Sequence, residues 1–191
     1  PSPSELTDFG KKLLSEDPNN PCSLGIAISE AIEAVVKSEG KAKYALGSVL
    51  GHVLLHQTIN GNEAILQMEQ AGDYPDIIVG CTGGGSNLAG LMFPFLGQQL
   101  RGGQKIDIIG CEPLSCPSFT KGKYAYDHGD MARMTPLIKM HTLGSDFLPP
   151  ANHSGGLRYH GMSYHLSHLY DLGLMRAKAY GQKDCFEAGV I

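Results

Sequence analysis

The run Gly83-Gly84-Gly85-Ser86-Asn87 is the part of this chain whose residue types and order could do chemistry. It follows a short apolar stretch, Asp76 to Cys81, and precedes Leu88, Leu91, Met92, Phe95 and Leu96 at helical spacing. That pattern predicts a strand end joined by a glycine loop to a helix start. At such a place, unpaired N–H groups and the positive end of the helix dipole point at one spot. Glycines let the main chain approach an anion, Ser86 and Asn87 add side-chain donors, and phosphate is the natural occupant. The plainer alternative is a turn that merely reverses the chain, yet three successive glycines are costly to order. No Gly-Lys-Ser/Thr opens the helix, so a P-loop is excluded. A dinucleotide site stays open. Leu88 occupies the place of its third glycine, but Glu112 lies about where its acid should be.

Other chemistry-bearing residues have blander readings. His52 and His56 are four apart on a predicted helix, a metal-compatible spacing with no Glu after His52 and no third ligand. His52 follows Gly47-Ser48 closely enough to approach the same site, whereas His165 and His168 read as solvated or packed. Cys81 reads as a small core hydrophobe, because no basic partner adjoins it. The segment 121–130 mixes basic and aromatic residues, but Asp127 and Asp130 cancel its charge, and it reads as a surface loop near the site.

The elements that must position the loop follow from periodicity. Ser4 is expected to cap a helix carrying Leu6, Phe9, Leu13 and Leu14, stopped by Asp17-Pro18. Ile28, Ala31, Ile32, Val35 and Val36 form a second helix ending at Gly40. Tyr44-Ala45-Leu46 is a short strand candidate. Residues 49–68 read as mostly helical, interrupted near Asn60-Gly61-Asn62 and closed by Gly72. The continuous apolar runs 76–81 and 106–111 predict two strands buried on both faces. With the helix between them, which Pro94 should kink, they make a βαβ unit and hence a parallel sheet. Residues 112–150 lose periodicity and read as irregular. A helix over 161–172, a third strand over 174–180 and a last helix capped by Asp184 and carrying Phe186, Ala188, Val190 and Ile191 complete an α/β fold.

Of 191 residues, 42% are hydrophobic and 18% charged, and the net charge is −4. That balance supports a packed core and gives no basic patch for nucleic acid. No apolar run reaches membrane-spanning length, so no membrane role is expected. Five cysteines without a short paired spacing fit a reducing cytoplasm better than a disulfide framework. The opening Pro1-Ser2-Pro3 and the uncapped Val190-Ile191 end read as a truncated chain, with apolar surface left for self-association.

Strand, then Cys81-Thr82-Gly83-Gly84-Gly85-Ser86-Asn87, then apolar helix resembles the pyridoxal-phosphate (PLP) loop of tryptophan synthase β chains. Tyr44-Ala45-Leu46-Gly47-Ser48, Ile108-Ile109-Gly110-Cys111-Glu112-Pro113 and Ser154-Gly155-Gly156-Leu157-Arg158-Tyr159 fall in that family's order. The likeness covers essentially the whole chain. Leu46-Gly47-Ser48, Leu54-Leu55-His56-Gln57-Thr58 and Gly156-Leu157-Arg158-Tyr159-His160-Gly161 look like the divergent second class of β chains.

The resemblance implies a fold-type II PLP architecture, with residues 1–60 in part of an N-terminal domain and 61–191 in most of the C-terminal one. It implies a lyase of tryptophan biosynthesis that condenses L-serine with indole, through a PLP aminoacrylate, to L-tryptophan. It also implies a homodimer, while the second-class features argue against an α-subunit partner. By resemblance Gly83, Gly84, Gly85, Ser86 and Asn87 hold the cofactor phosphate. Gly47 and Ser48 run beside the cofactor, and the carbonyls of Gly83, Tyr159 and Gly161 hold a monovalent cation. Arg158 stands where the common class has a substrate-orienting acid, and is expected to clamp a carboxylate or phosphate. None of the eleven lysines has the His-Lys-x-Asn context of the Schiff-base lysine, so the chain alone is expected to be inactive. The rivals are another fold-type II enzyme (threonine synthase, cysteine synthase or serine dehydratase) and a non-catalytic nucleotide- or phosphate-binding module.

Overall fold

A computed structural model of the chain describes residues 2–190. β1 (Ile77–Cys81), α4 (Ser86–Leu100) and β2 (Asp107–Pro113) form the expected βαβ unit, with Ile78 opposite Ile108 and Cys81 opposite Cys111 in parallel register. β5 (Arg176–Tyr180) adds in parallel to β2, giving the order β1-β2-β5. The sheet is thus α/β and parallel, as read from the sequence. Its two-sided burial is not as read. Ile78 and Ile108 face the core, while Ile77 and Val79 are more than half exposed at 54% and 55%. The run is apolar on both faces, but the described residues cover only one.

That covered face packs on Leu88, Met92, Phe95 and Leu96 of α4, with Leu54, Phe119, Met162 and Leu166. α3 (Gly51–Ala71) lies against α4 and runs unbroken through Asn60-Gly61-Asn62. Gly61 is a crossing point, not an interruption. A Cβ there would stand 2.3 Å from the Leu91 carbonyl oxygen, 2.7 Å from that of Gly90 and 2.8 Å from Pro94 Cδ. Proline cannot donate to the carbonyl four residues earlier, so Gly61 nests where Pro94 leaves the Gly90 carbonyl. α4 remains one helical span across Pro94. Gly72, left-handed at φ 67°, ends α3 as expected.

Other expectations need correction. α1 (Asp8–Glu16) is capped by Thr7, because Ser4 instead donates to the Glu30 carboxylate through its N–H and hydroxyl. α2 (Leu24–Lys37) is capped by Ser23 and ends at Ser38 rather than Gly40. Residues 44–46 are extended but join no strand. The stretch read as irregular contains a hairpin, β3 (Lys123–His128) antiparallel to β4 (Leu137–Thr142). α5 covers Tyr164–Asp171, and α6 (Gln182–Ala188) starts from Gly181, with Asp184 in its first turn rather than at its cap. Ile191 lies outside the described residues. Among those residues no helix is long and apolar enough to cross a membrane.

The hairpin matters because a bridge from Thr142 to Gly161 ties it to the segment entering α5. His141 sits in the joint, stacked on Tyr124 at 4.9 Å and edge-on to Tyr170 at 5.0 Å. Both its ring nitrogens are buried without a partner. Burial holds its pKa below the usual histidine value, against a weaker opposing pull from Asp171.

Two predictions follow from this packing. Gly90→Ala would place a Cβ 2.5 Å from the Gln57 carbonyl oxygen, whereas at Gly97 the nearest atom is the mobile Arg101 Nη1 at 3.5 Å. The first should cost about 1–3 kcal/mol and the second should add about 0.5–1 kcal/mol, read as opposite shifts of the urea midpoint at unchanged slope. His141 stays neutral in the fold but takes a proton when unfolded, so its penalty is absent above pH of about 6.5. It grows as pH falls toward the depressed folded value. His141→Phe should therefore flatten the loss of stability between neutral and mildly acid pH, measured by unfolding at several pH values.

Candidate functional site

Each glycine of the loop is pressed by a different segment. A Cβ on Gly83 would meet Leu157 Cδ2 at 3.2 Å and the Gly156 carbonyl oxygen at 3.3 Å. On Gly84 it would meet Ser48 Cβ at 2.8 Å and Val49 Cγ1 at 2.9 Å. On Gly85, where φ is +107°, it would meet Leu166 Cδ1 at 2.6 Å, Met162 Sδ at 2.9 Å and Ser163 Oγ at 3.0 Å. The glycines therefore serve the packing around the loop as much as a ligand.

That packing aims the main chain. The Ser163 N–H donates to the Gly84 carbonyl at 2.9 Å. A trans peptide sets its C=O and N–H on opposite sides, so the Gly85 N–H is turned away from Ser163. The Thr82 N–H is used by the Cys111 carbonyl at 2.8 Å. From Gly83 to Leu88, the main-chain N–H groups find no acceptor among the described residues. These donors, at the N-terminus of the 15-residue α4, are the arrangement that binds an anion.

Gly83 to Asn87 line a cavity of about 250 Å³ together with Ser48, Cys81, and Gly155 to Leu157. No lysine or arginine lines it. Asn87 keeps its side chain partly in the loop, Nδ2 donating to the Cys81 carbonyl at 3.4 Å. Gly155 and Gly156, which sequence reading used only for family likeness, form the opposite wall. They take φ +52° and +86° in a turn closed by the Leu157 N–H to the Ser154 carbonyl at 3.0 Å. Two successive left-handed residues of this kind favour Gly-Gly, a local signal that a turn stands there, though not what it faces.

The same wall opens into a second cavity of about 340 Å³ at the carboxyl ends of the sheet, bounded by Cys81, Cys111, Tyr180, His153 and Phe186. This is where open parallel sheets receive ligands. Burial pushes the Cys111 thiol up, so this thiol meets the cavity neutral. A third cavity, about 280 Å³ and almost wholly apolar, lies along Leu46, Val49 and Leu50 beside Ile138, Met140 and Met162.

The remaining candidates are placed variously. Ser48 lines the cradle, while Gly47 stands one residue outside its lining. The carbonyls of Gly83, Tyr159 and Gly161 accept no hydrogen bond among the described residues. Arg158 is a fastener: its Nη2 lies 3.0 to 3.3 Å from the carbonyls of Pro21, Cys22, Pro149 and Pro150. It holds those segments at the cradle wall and is not the free carboxylate clamp expected of it. His52 faces His56 at 6.3 Å on the exposed side of α3, away from the cradle lining. Among the described residues no group of three or more His, Cys, Asp or Glu is placed to hold a metal ion. Glu112 is buried, its carboxylate accepting from the N–H groups of Phe119 and Thr120 and from the Thr120 hydroxyl. It is therefore engaged away from any ribose.

No protein-family model matches the chain. Curated relatives do. Tryptophan synthase beta chain 2 of Thermotoga maritima is 56% identical over 191 residues, covering 100% of this chain and 45% of that protein. Its namesake in Aeropyrum pernix is 56% identical over 188 residues, covering 98% and 42%. From end to end, this chain is similar to tryptophan synthase β chains. The resemblance read from its motifs thus holds over its whole length. The chain spans less than half the length of the β chains it matches. Among solved structures, a threonine deaminase from T.th. aligns with a TM-score of 0.49 at 15% identity, covering 71% of this chain and 41% of that one.

Main-chain donors do not titrate, so the charge of the ligand sets how binding to the cradle depends on pH. Binding of a phosphate monoester should therefore strengthen as pH rises through about 6, where the dianion forms, and then level off. Titration calorimetry at several pH values checks this, with Gly84→Ala expected to abolish binding.

Proposed function

We propose that this chain carries the phosphate-binding half of a PLP site, in a protein that joins L-serine to indole as tryptophan synthase β chains do. The observation that carries the reading is the run of unpaired N–H groups from Gly83 to Leu88, in a chain matching those β chains at 54–56% identity. The residues fit the cofactor. Gly83, Gly84, Gly85, Ser86 and Asn87 would take its phosphate, Ser48 would close the cradle from above, and Gly47 would stand nearer the ring. When bound, PLP supplies an electron sink for carbanion chemistry at the amino-acid α-carbon. This chain's own part is to bind, to orient, and to keep water from the strand-end cavity. The apolar cavity along Leu46, Val49 and Leu50 suits a flat aromatic such as indole. The free carbonyls of Gly83, Tyr159 and Gly161 would serve a monovalent cation. Residues 1–60 would form the edge of an N-terminal domain, and a homodimer would be the working assembly.

The engaged Glu112 counts against the dinucleotide reading, because its oxygens already accept hydrogen bonds from the Thr120 turn. Another fold-type II enzyme remains the second reading, separable by substrate.

The deciding ligand is 4-deoxypyridoxine phosphate, which keeps the phosphate but has no aldehyde to react with surface lysines. Calorimetry should show it binding and being displaced by inorganic phosphate, while deoxypyridoxine without the phosphate does not bind. Binding of NAD with no response to the phosphate compound would overturn the proposal. Incubated with PLP, L-serine and indole, this chain alone should form no tryptophan, since no lysine has the required context.

A further inference from the structure

Ser163 breaks two local rules at once. It is the residue before α5, where a serine hydroxyl usually accepts an N–H of the first turn, yet its side chain makes no capping bond. It is also 1% exposed, and its Oγ has no hydrogen-bond partner among the described residues. A buried hydroxyl without a partner is uncommon and costly. The Oγ is turned toward the glycine loop, 3.0 Å from where a Cβ on Gly85 would stand. The N–H of the same residue already holds the Gly84 carbonyl at 2.9 Å. Its neighbours Met162 and Tyr164 line the apolar cavity, but Ser163 itself lines neither that cavity nor the cradle. It stands behind the loop and does not reach an anion in front of it.

We infer that Ser163 is a positioning residue of the cradle, its hydroxyl reserved for the Gly84–Gly85 main chain, which a small local adjustment brings to it when a phosphate group is seated in the already formed loop. Local rules broken together mark places where stability is given up for function. The inference rests on the phosphate-binding reading above and adds which residue behind the loop sets its geometry. A buried hydroxyl that lacks a partner lowers stability. In the bound state it gains one, and affinity rises.

The two effects have opposite signs, which a merely structural hydroxyl would not show. In Ser163→Ala, inorganic phosphate and 4-deoxypyridoxine phosphate should bind about three- to tenfold more weakly. The same variant without ligand should unfold at a temperature unchanged or raised by roughly 2–4 °C. Ser163→Cys, with a weak donor in the same place, should fall between wild type and Ala in affinity. Calorimetry and thermal unfolding read both quantities. Unchanged affinity in Ser163→Ala, or affinity and stability falling together in both variants, would overturn the inference while leaving the phosphate reading intact. A wild-type chain that binds neither ligand would overturn both.

Discussion

Close packing around three consecutive Cβ-less positions is the constraint on which the site depends. A main chain can present a row of N–H groups only if its neighbours hold it in place. Here Gly156-Leu157, Ser48-Val49 and Met162-Ser163-Leu166 each press on one glycine. These contacts come from segments far apart in sequence, so the cradle forms only once α3, α4, α5 and the Gly155-Gly156 turn have assembled. Rigidity here is useful. Donors fixed before binding cost little further ordering when the anion arrives.

Much of this was legible in the residues. Strand, glycine loop, helix and parallel strand could be read because their apolar runs are short, separate and of distinct period. β5 and the Gly72 stop were equally plain. The hairpin was missed for a physical reason: no residue of β3 is fully buried, and the buried residues of β4 are the consecutive Met140, His141 and Thr142. Neither strand carries the alternation that announces one. Gly61 was misread because a glycine signals a break whether it bends a helix or lets another helix approach.

The site was legible in its front and illegible in its back. Glycine, serine and asparagine after a strand announce a phosphate from local chemistry alone. Nothing local shows that Gly155 and Gly156 face them, or that Ser163 stands behind them, since both relations are tertiary. Arg158 shows the opposite error. An arginine near a proposed anion site invites a charge role, yet main-chain carbonyls from two other segments take its guanidinium nitrogen.

The relation between α4 and the sheet explains why a loop so similar to a dinucleotide fingerprint lacks its third glycine. That glycine exists so that helix and strand can meet closely. Here the exchange is reversed. Leu88 on the helix is fully buried, and the room is made by glycines on the strands. A Cβ on Gly80 would meet Leu88 Cδ1 at 2.9 Å, and one on Gly110 would meet Leu88 Cδ2 at 3.3 Å. Close approach is kept, but the first turn of the helix is wedged by a leucine seated over both strands. The bulk lies on the core side of that turn, and the side bearing the N–H groups stays bare. A single phosphate needs only that bare turn, whereas a dinucleotide also needs a free acid at the next strand end, where Glu112 is already bonded. The same leucine that removes the fingerprint thus anchors the helix end on which the cradle relies.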